Sequence, residues 1–260
     1  MNFLFAIVSS LNRFQKSKLL FGWLVYIIIL LQSFVAWVAQ KEFRSFNDCY
    51  FHYKKQSNHP WIHERSIEYP WIARNISEIK NCCTLDVGAK EGLPSSDILL
   101  SNNNVVYTID INTSKTIQSN NKLIIKNGDI RSTPFNDGFF DAVIAVSTLE
   151  HVGISGRYGI ERSDQDGDIS AMAEIYRILK PGGKVLLTLP YGVGKSLPLN
   201  RLYNGERVNK LFNKYTMINK AYFKYDSKYA MWFEIPESLA SENNWDIEPW
   251  YALGCFCAQK

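Results

Sequence analysis

Short apolar runs recur through the middle of the chain, and helical or loop segments separate them. The five runs are residues 83–86, 105–110, 122–125, 139–147 and 182–190. Before the last run, apolar residues at helical spacing predict a helix that Asp168 or Ser170 caps and Gly182 stops. Strands that alternate with crossover segments are typical of a parallel sheet. The pattern therefore predicts an α/β fold.

The pattern changes after the fifth run. Residues 204–212 are predicted to form a helix, and residues 215–223 and 252–258 are predicted to form two further strands. The segment between these two strands is rich in tyrosine and tryptophan. We therefore expect the sheet to continue beyond its parallel part.

The turn after the first run is the motif that points most directly to a ligand. The apolar run ends in Asp86, and the chain then turns over Gly88, reaches Gly92 and leads into a helix that opens near Pro94. Such a turn aims backbone N–H groups and a helix N-terminus at a ligand, and glycine lets the ligand come close. The second run ends in Asp110, whose carboxylate is well placed to accept both hydroxyls of a ribose.

The motifs of this region resemble, in order and spacing, those of class I S-adenosylmethionine-dependent methyltransferases. The residues that match are Leu85-Asp86-Val87-Gly88, Gly92, Asp110, Gly128-Asp129, Phe140-Asp141, Leu149-Glu150-His151-Val152 and Leu179-Lys180-Pro181-Gly182-Gly183. The resemblance implies a Rossmann-like, doubly wound sheet of seven strands, mostly parallel with the last strand antiparallel. It also implies S-adenosylmethionine as the cofactor. Within the superfamily the chain is similar to methyltransferases of type 11, in a poorly characterised branch that is marked by Glu150-His151 and by residues 156–159 and 164–168.

The same resemblance implies which residues bind the methionine and ribose parts of the cofactor. Asp86 and Gly88 are expected to shape the methionine end of the pocket. Gly92 is expected to let the following helix approach, and Asp110 to bind the ribose. One position departs from the common pattern, because Lys90 stands where a second glycine is usual. A long cation there could crowd the pocket, point outward or weaken the cofactor site.

Three further residues are assigned to the cofactor by the resemblance. Asp129 is expected to accept the adenine amino group, with Ile130 against the ring. Ser147, at the end of the fourth run, is expected to border the sulfonium.

Candidate residues for the acceptor side follow the fourth run. His151 is a candidate general base because histidine titrates near neutral pH, and the alternative is a role in packing or in starting a helix. Methyltransferases of the ubiquinone pathway hold a metal with an E-x-x-E-H arrangement, but Ser147 occupies its first position here, so we predict no metal. Arg157 and Tyr158 are candidate substrate-binding residues beside the acidic segment 164–168, which also resembles a solvated loop.

The N-terminal part of the chain predicts a membrane anchor. Residues 19–39 contain no charge and, at about 1.5 Å per residue, are long enough for the roughly 30 Å of a bilayer core. The alternative is a buried or interfacial helix. We expect an anchoring segment at 1–44, a linker and lead-in helix at 45–81 and a methyltransferase domain at 82–260. Since the cofactor is held in the cytosol, we expect that domain to face the cytoplasm.

Charge and cysteine content narrow the functional classes. Residues 1–45 hold five of the 29 basic and one of the 25 acidic residues, so the remainder is balanced and shows no bias toward nucleic acid. The five cysteines form no C-x-x-C pair, which disfavours disulfides and zinc. The sequence predicts methyl transfer to a small molecule, a sugar or a lipid-linked glycan. The alternatives are a degenerate, membrane-bound interaction module and a nicotinamide-dependent oxidoreductase, the latter disfavoured by the missing G-x-G-x-x-G.

Overall fold

The structure is a computed structural model that describes residues 64–89, 94–112, 120–155, 163–197, 199–226, 231–244, 246–247 and 251–260. The predicted anchor at 1–44, with its helix at 19–39, lies outside these residues. Within the described ranges, no helix is long and apolar enough to cross a membrane. The chain divides into two compact units, Met1–Pro70 with Lys224–Phe233 and Trp71–Phe223 with Glu234–Lys260.

The described residues form five α-helices, one 3₁₀ helix and ten strands. The helices are α1 Arg65–Asn75, α2 Pro94–Ser101, α3 Gly167–Ile178, α4 Gly205–Leu211 and α5 Glu237–Ser241, and a 3₁₀ helix covers Leu149–His151. The strands are β1 Cys83–Val87, β2 Val105–Asp110, β3 Leu123–Asn127, β4 Phe140–Val146, β5 Leu179–Tyr191, β6 Lys195–Ser196, β7 Arg201–Leu202, β8 Thr216–Asp226, β9 Met231–Ile235 and β10 Ala252–Gln259.

Eight strands form the main sheet, in the order β3-β2-β1-β4-β5-β10-β8-β9. Strands β1 to β5 are parallel to their neighbours within this set, whereas β10 runs antiparallel to both β5 and β8. The antiparallel last strand is as predicted. The prediction of seven strands was wrong, because β9 adds a strand at the edge. It lies in the aromatic segment, where Trp232 is buried and packs edge-on against Tyr225, with ring centroids 5.7 Å apart.

The helix before the fifth strand ends earlier than its pattern predicts. It ends at Ile178, and Leu179 already adopts an extended conformation as the first residue of β5. Gly182 therefore does not stop the helix but lies within β5, at φ +78°. At the other end the N-cap is Asp166, and its side chain makes no capping hydrogen bond. The predicted caps Asp168 and Ser170 thus lie inside the helix.

Helix α4, at Gly205–Leu211, confirms the helix predicted for residues 204–212. The side chain of Asn204 accepts a hydrogen bond from the Arg207 N–H, which caps the helix at its first turn. The buried side chains of Val208 and Leu211 join the hydrophobic core, to which β4 and β5 contribute several fully buried residues. The loops at the ends of these two strands are therefore held on rigid supports.

Candidate active site

The carboxyl ends of the parallel strands meet at one edge of the sheet. In register, Val87 pairs with Ile109 on one side and Ala145 on the other, and Asp110 pairs with Asn127. The strand order reverses between β1 and β4, since β2 and β3 lie on one side and β5 on the other. Ligands of open α/β sheets bind at such a switch point. The turns that follow β1, β2, β3 and β4 therefore form the candidate site.

Asp86 lies within β1 and is 1% exposed. Its Oδ2 accepts hydrogen bonds from the hydroxyls of Ser95 and Ser96, both at 2.7 Å, at the start of α2. Burial raises the pKa of Asp86 to about 6, although the two hydroxyls act in the opposite direction. The carboxyl group thus fastens the N-terminus of α2 to β1, and it acts on the ligand site by positioning that helix.

Gly88 occupies a conformation that favours glycine, with φ at +73°. Its N–H donates to the Ile109 carbonyl at 2.8 Å, which ties the turn to β2. A Cβ at this position would meet the side chain of Thr148, 2.6 Å from Oγ1. The close approach that requires glycine is therefore made by the chain itself, from the segment that follows β4.

Asp110 ends β2 and is partly exposed. Its Oδ1 accepts the Asn112 N–H at 2.7 Å, and its carbonyl accepts the Gly128 N–H at 3.1 Å. These bonds hold the carboxylate at the strand end. A carboxylate offers about four acceptor positions, so the group can also accept the two hydroxyls of a ribose.

Asp129 follows β3 and is bound by Arg131. The guanidinium donates to both carboxylate oxygens, with the shortest distance 2.7 Å from Nη2 to Oδ2, and the Arg131 N–H donates to Oδ1 at 2.8 Å. Partial burial raises the pKa of Asp129, but the hydrogen bonds from Arg131 outweigh it and lower the pKa. The guanidinium also donates to Asp164 at 3.0 Å. The neighbouring Ile130 is 6% exposed and packs in the core.

Ser147 directly follows β4 and adopts φ +43°, in the left-handed region that non-glycine residues rarely occupy. Its N–H donates to the carbonyl and the hydroxyl of Thr188, at 3.2 and 3.0 Å, so β5 holds the strained turn. The Thr148 hydroxyl also binds this turn, by donating to the Val146 carbonyl at 3.0 Å. Strain of this kind is concentrated at functional sites.

His151 ends the 3₁₀ helix, and its side chain is 17% exposed. Its Nδ1 lies 2.7 Å from the carbonyl oxygen of Leu199. Its Nε2 lies 3.7 Å from Oε1 of Glu150, whose side chain is 3% exposed. That distance is longer than a hydrogen bond but within the range of an ion pair. The predicted base thus stands between a carbonyl and a carboxylate.

The acidic segment 164–168, predicted to be either solvated or substrate-binding, is neutralised by arginines. Asp168 is fully buried and accepts two hydrogen bonds from Arg207. Arg201 is also buried, and its guanidinium donates to the carbonyls of Val152, Asp164 and Gln165. The pattern of charges along the sequence did not reveal this cluster, because Arg201 and Arg207 follow β5 and lie more than thirty positions away along the chain.

Four of the residues singled out in the sequence lie outside the described ranges: Lys90, Gly92, Arg157 and Tyr158. The other predicted residues lie at or shortly after the carboxyl ends of β1 to β4, namely Asp86, Gly88, Asp110, Asp129, Ile130, Ser147 and His151. Across the described residues, no group of three or more histidine, cysteine, aspartate or glutamate side chains could hold a metal ion.

Comparisons with known proteins identify the same region. Residues 85–187 match the family described as a methyltransferase domain. One similar solved structure is the 1,6-didemethyltoxoflavin-N1-methyltransferase of Burkholderia thailandensis with bound 1,6-didemethyltoxoflavin and S-adenosylhomocysteine. It is 13% identical, with 90% of this chain and 88% of that chain covered, at a TM-score of 0.52. Another is the MccD protein, 14% identical, with 73% of this chain and 96% of that chain covered, at a TM-score of 0.51. At these identities the structures establish the fold alone. A search of curated proteins gave no match.

Proposed function

We propose that this chain, whose residues 85–187 match a methyltransferase domain, is a class I S-adenosylmethionine-dependent methyltransferase that methylates a small-molecule or glycan acceptor. The acceptor would bind at the carboxyl edge of the sheet, beside His151. The single observation that supports this most directly is the alignment of Gly88, Asp110 and Ser147 at the ends of β1, β2 and β4, at the point where the strand order reverses.

S-adenosylmethionine is the cofactor of this domain, and when bound it supplies an electrophilic methyl group on sulfur. The residues fit such a ligand at two places. The Asp110 carboxylate is held at a strand end where it can accept ribose hydroxyls. The turn at Gly88 follows a strand that Asp86 fastens to the N-terminus of α2. The chain therefore has to orient the reactants and, for a protic acceptor, take up one proton.

The adenine contact assigned to Asp129 needs an adjustment. The carboxylate already accepts hydrogen bonds from Arg131. A further acceptor position can still receive the adenine amino group, so we retain this role with Arg131 as the residue that orients the carboxylate. Ile130 would contribute through the packing of the turn, and Ser147 through its backbone position next to the sulfonium.

We further propose that residues 19–39 anchor the protein to a membrane, with the domain on the cytoplasmic side. The support is the uncharged stretch in the sequence. A membrane-bound enzyme has ready access to amphiphilic acceptors, and the balanced charge of the rest of the chain gives no reason to expect nucleic acid.

The proposal is tested by following S-adenosylhomocysteine formation. Full-length protein in detergent is incubated with S-adenosylmethionine and a total small-molecule and polar-lipid extract. We expect product that depends on both extract and protein. A His151→Gln variant is expected to retain cofactor binding and to lose turnover. Cofactor binding without any turnover in the unmodified protein would instead favour the non-catalytic interaction module.

A further inference from the structure

The surroundings of His151 carry information about the acceptor, and this inference rests on the proposed function. A carbonyl oxygen can only accept a hydrogen bond. Since the Leu199 carbonyl lies 2.7 Å from Nδ1, that nitrogen must hold a proton. In the neutral ring Nε2 is then the basic nitrogen. The contact joins residues that are 48 positions apart, so the fold and not the local chain sets the tautomer.

A small hairpin provides the carbonyl. Strands β6 and β7 pair through Lys195 with Leu202 and Ser196 with Arg201. At its tip, the Leu197 N–H donates to the Asn200 carbonyl at 2.8 Å, which closes the turn that presents Leu199. Directly after the hairpin, the Tyr203 N–H donates to the Pro190 carbonyl at 2.9 Å, which ties this segment to β5.

The base of the same hairpin binds the backbone beside His151. Arg201 is 4% exposed and donates to the carbonyl of Val152, the residue that follows His151. It also donates to the carbonyl of Asp164 at 2.8 Å. The hairpin therefore contacts the His151 ring through Leu199 and the backbone of the next residue through Arg201.

One carboxylate lies beside the ring nitrogen Nε2. Glu150, on the same 3₁₀ helix, has Oε1 3.7 Å from Nε2. The segment after β5 contributes Arg201, whose guanidinium binds the Val152 carbonyl, and Tyr203. Burial next to Asp168 and Glu150 raises the pKa of Tyr203 well above its ordinary value, so that this hydroxyl stays neutral. Glu150 is thus the carboxylate beside Nε2 that is able to stabilise an imidazolium.

We propose that Leu199 and Glu150 are positioning groups that make Nε2 of His151 a general base, and that the acceptor is a neutral hydroxyl compound. The acceptor oxygen gives its proton to Nε2 and forms a bond to the methyl carbon, whose bond to sulfur breaks with the electron pair left on sulfur. A carboxylate acceptor is already ionised near neutral pH and needs no base. The arrangement therefore favours ether formation over ester formation.

The tautomer and the charge partner can be tested without knowing the acceptor. Two-bond ¹H–¹⁵N spectra of the ¹⁵N-histidine-labelled full chain resolve the four histidines, and His151→Gln assigns one of them. We expect the neutral ring of His151 to carry its proton on Nδ1. In Glu150→Gln the midpoint of its titration should fall by about 1 pH unit or more, the effect typical of losing an opposite charge at this range. The matched variant Glu206→Gln, on exposed α4, should leave the midpoint unchanged.

Each outcome decides the proposal. A proton on Nε2 of the neutral ring, or an unchanged midpoint in a folded Glu150→Gln protein, would overturn it. The same samples are titrated with S-adenosylmethionine, so a failure of cofactor binding is seen separately and would count against the proposed function instead. If the extract assay yields a methylated product, we expect the transferred label to resist mild base as an ether does. Release of labelled methanol would identify an ester and refute the hydroxyl acceptor.

Discussion

Substituting Gly88 by alanine should destabilise the protein for two separable reasons. The residue holds φ at +73°, and an L-residue with a Cβ loses about 1–2 kcal/mol in that region. The new Cβ would also overlap the Thr148 side chain, 2.6 Å from Oγ1. Thr148 is β-branched and stiff at χ1, and overpacking of this kind costs about 1–3 kcal/mol. We expect Gly88→Ala to lower the free energy of unfolding by about 2–5 kcal/mol.

Gly138 provides a matched control, because its φ is +63° but its Cβ would overlap no neighbouring atom. The nearest atom, Cα of Lys180, lies 3.9 Å away. Gly138→Ala should therefore lose only the conformational part, about 1–2 kcal/mol. Urea unfolding of both variants, followed by circular dichroism, measures the difference. Combining Gly88→Ala with Thr148→Ala should recover about 1–3 kcal/mol relative to the sum of the single variants. Equal losses for the two glycines, or strict additivity in the double variant, would refute the reasoning.

Two further predictions concern the pH dependence of stability. Asp86 has a folded pKa raised from 3.8 to about 6, so its favourable contribution to stability is complete below about pH 4 and is lost as the pH rises through 6. Between pH 4 and 7 the unfolding free energy of the unmodified protein should therefore fall by about 3 kcal/mol relative to that of Asp86→Asn. Parallel pH curves for the two proteins would count against this prediction. Glu174 behaves in the opposite way, because hydrogen bonds from Arg177 lower its pKa from 4.5 to about 2. Glu174→Gln should lower the free energy of unfolding by about 1–2 kcal/mol at pH 7, a value reduced because Arg177 is partly exposed. The difference between the two proteins should vanish as the pH falls from 4.5 to about 2. A difference that does not depend on pH would show that the ion pair is not its cause.

The parallel part of the sheet could be predicted from the sequence, and the acceptor side of the site could not. Strand β4 is an apolar run that is buried along almost its whole length, and its hydrophobic signal is local. The contact between His151 and Leu199 joins residues 48 positions apart, and no periodicity records it. The pairing of Asp168 with Arg207 spans 39 positions and is hidden for the same reason. Strand β9 was missed because its aromatic residues have no clear alternation, so that packing and not pattern determines the strand.

The most direct test of the central claim is calorimetric titration of S-adenosylmethionine into the full chain in detergent. Asp110→Asn removes the charge of the predicted ribose acceptor. Asp141→Asn makes the same change at the opposite edge of the sheet, at the start of β4, where the carboxylate binds Lys180 and the Cys83 N–H. We expect micromolar binding, weakened about ten- to a hundredfold by Asp110→Asn and left nearly unchanged by Asp141→Asn. A folded protein that binds no cofactor, or equal losses in both variants, would contradict the account.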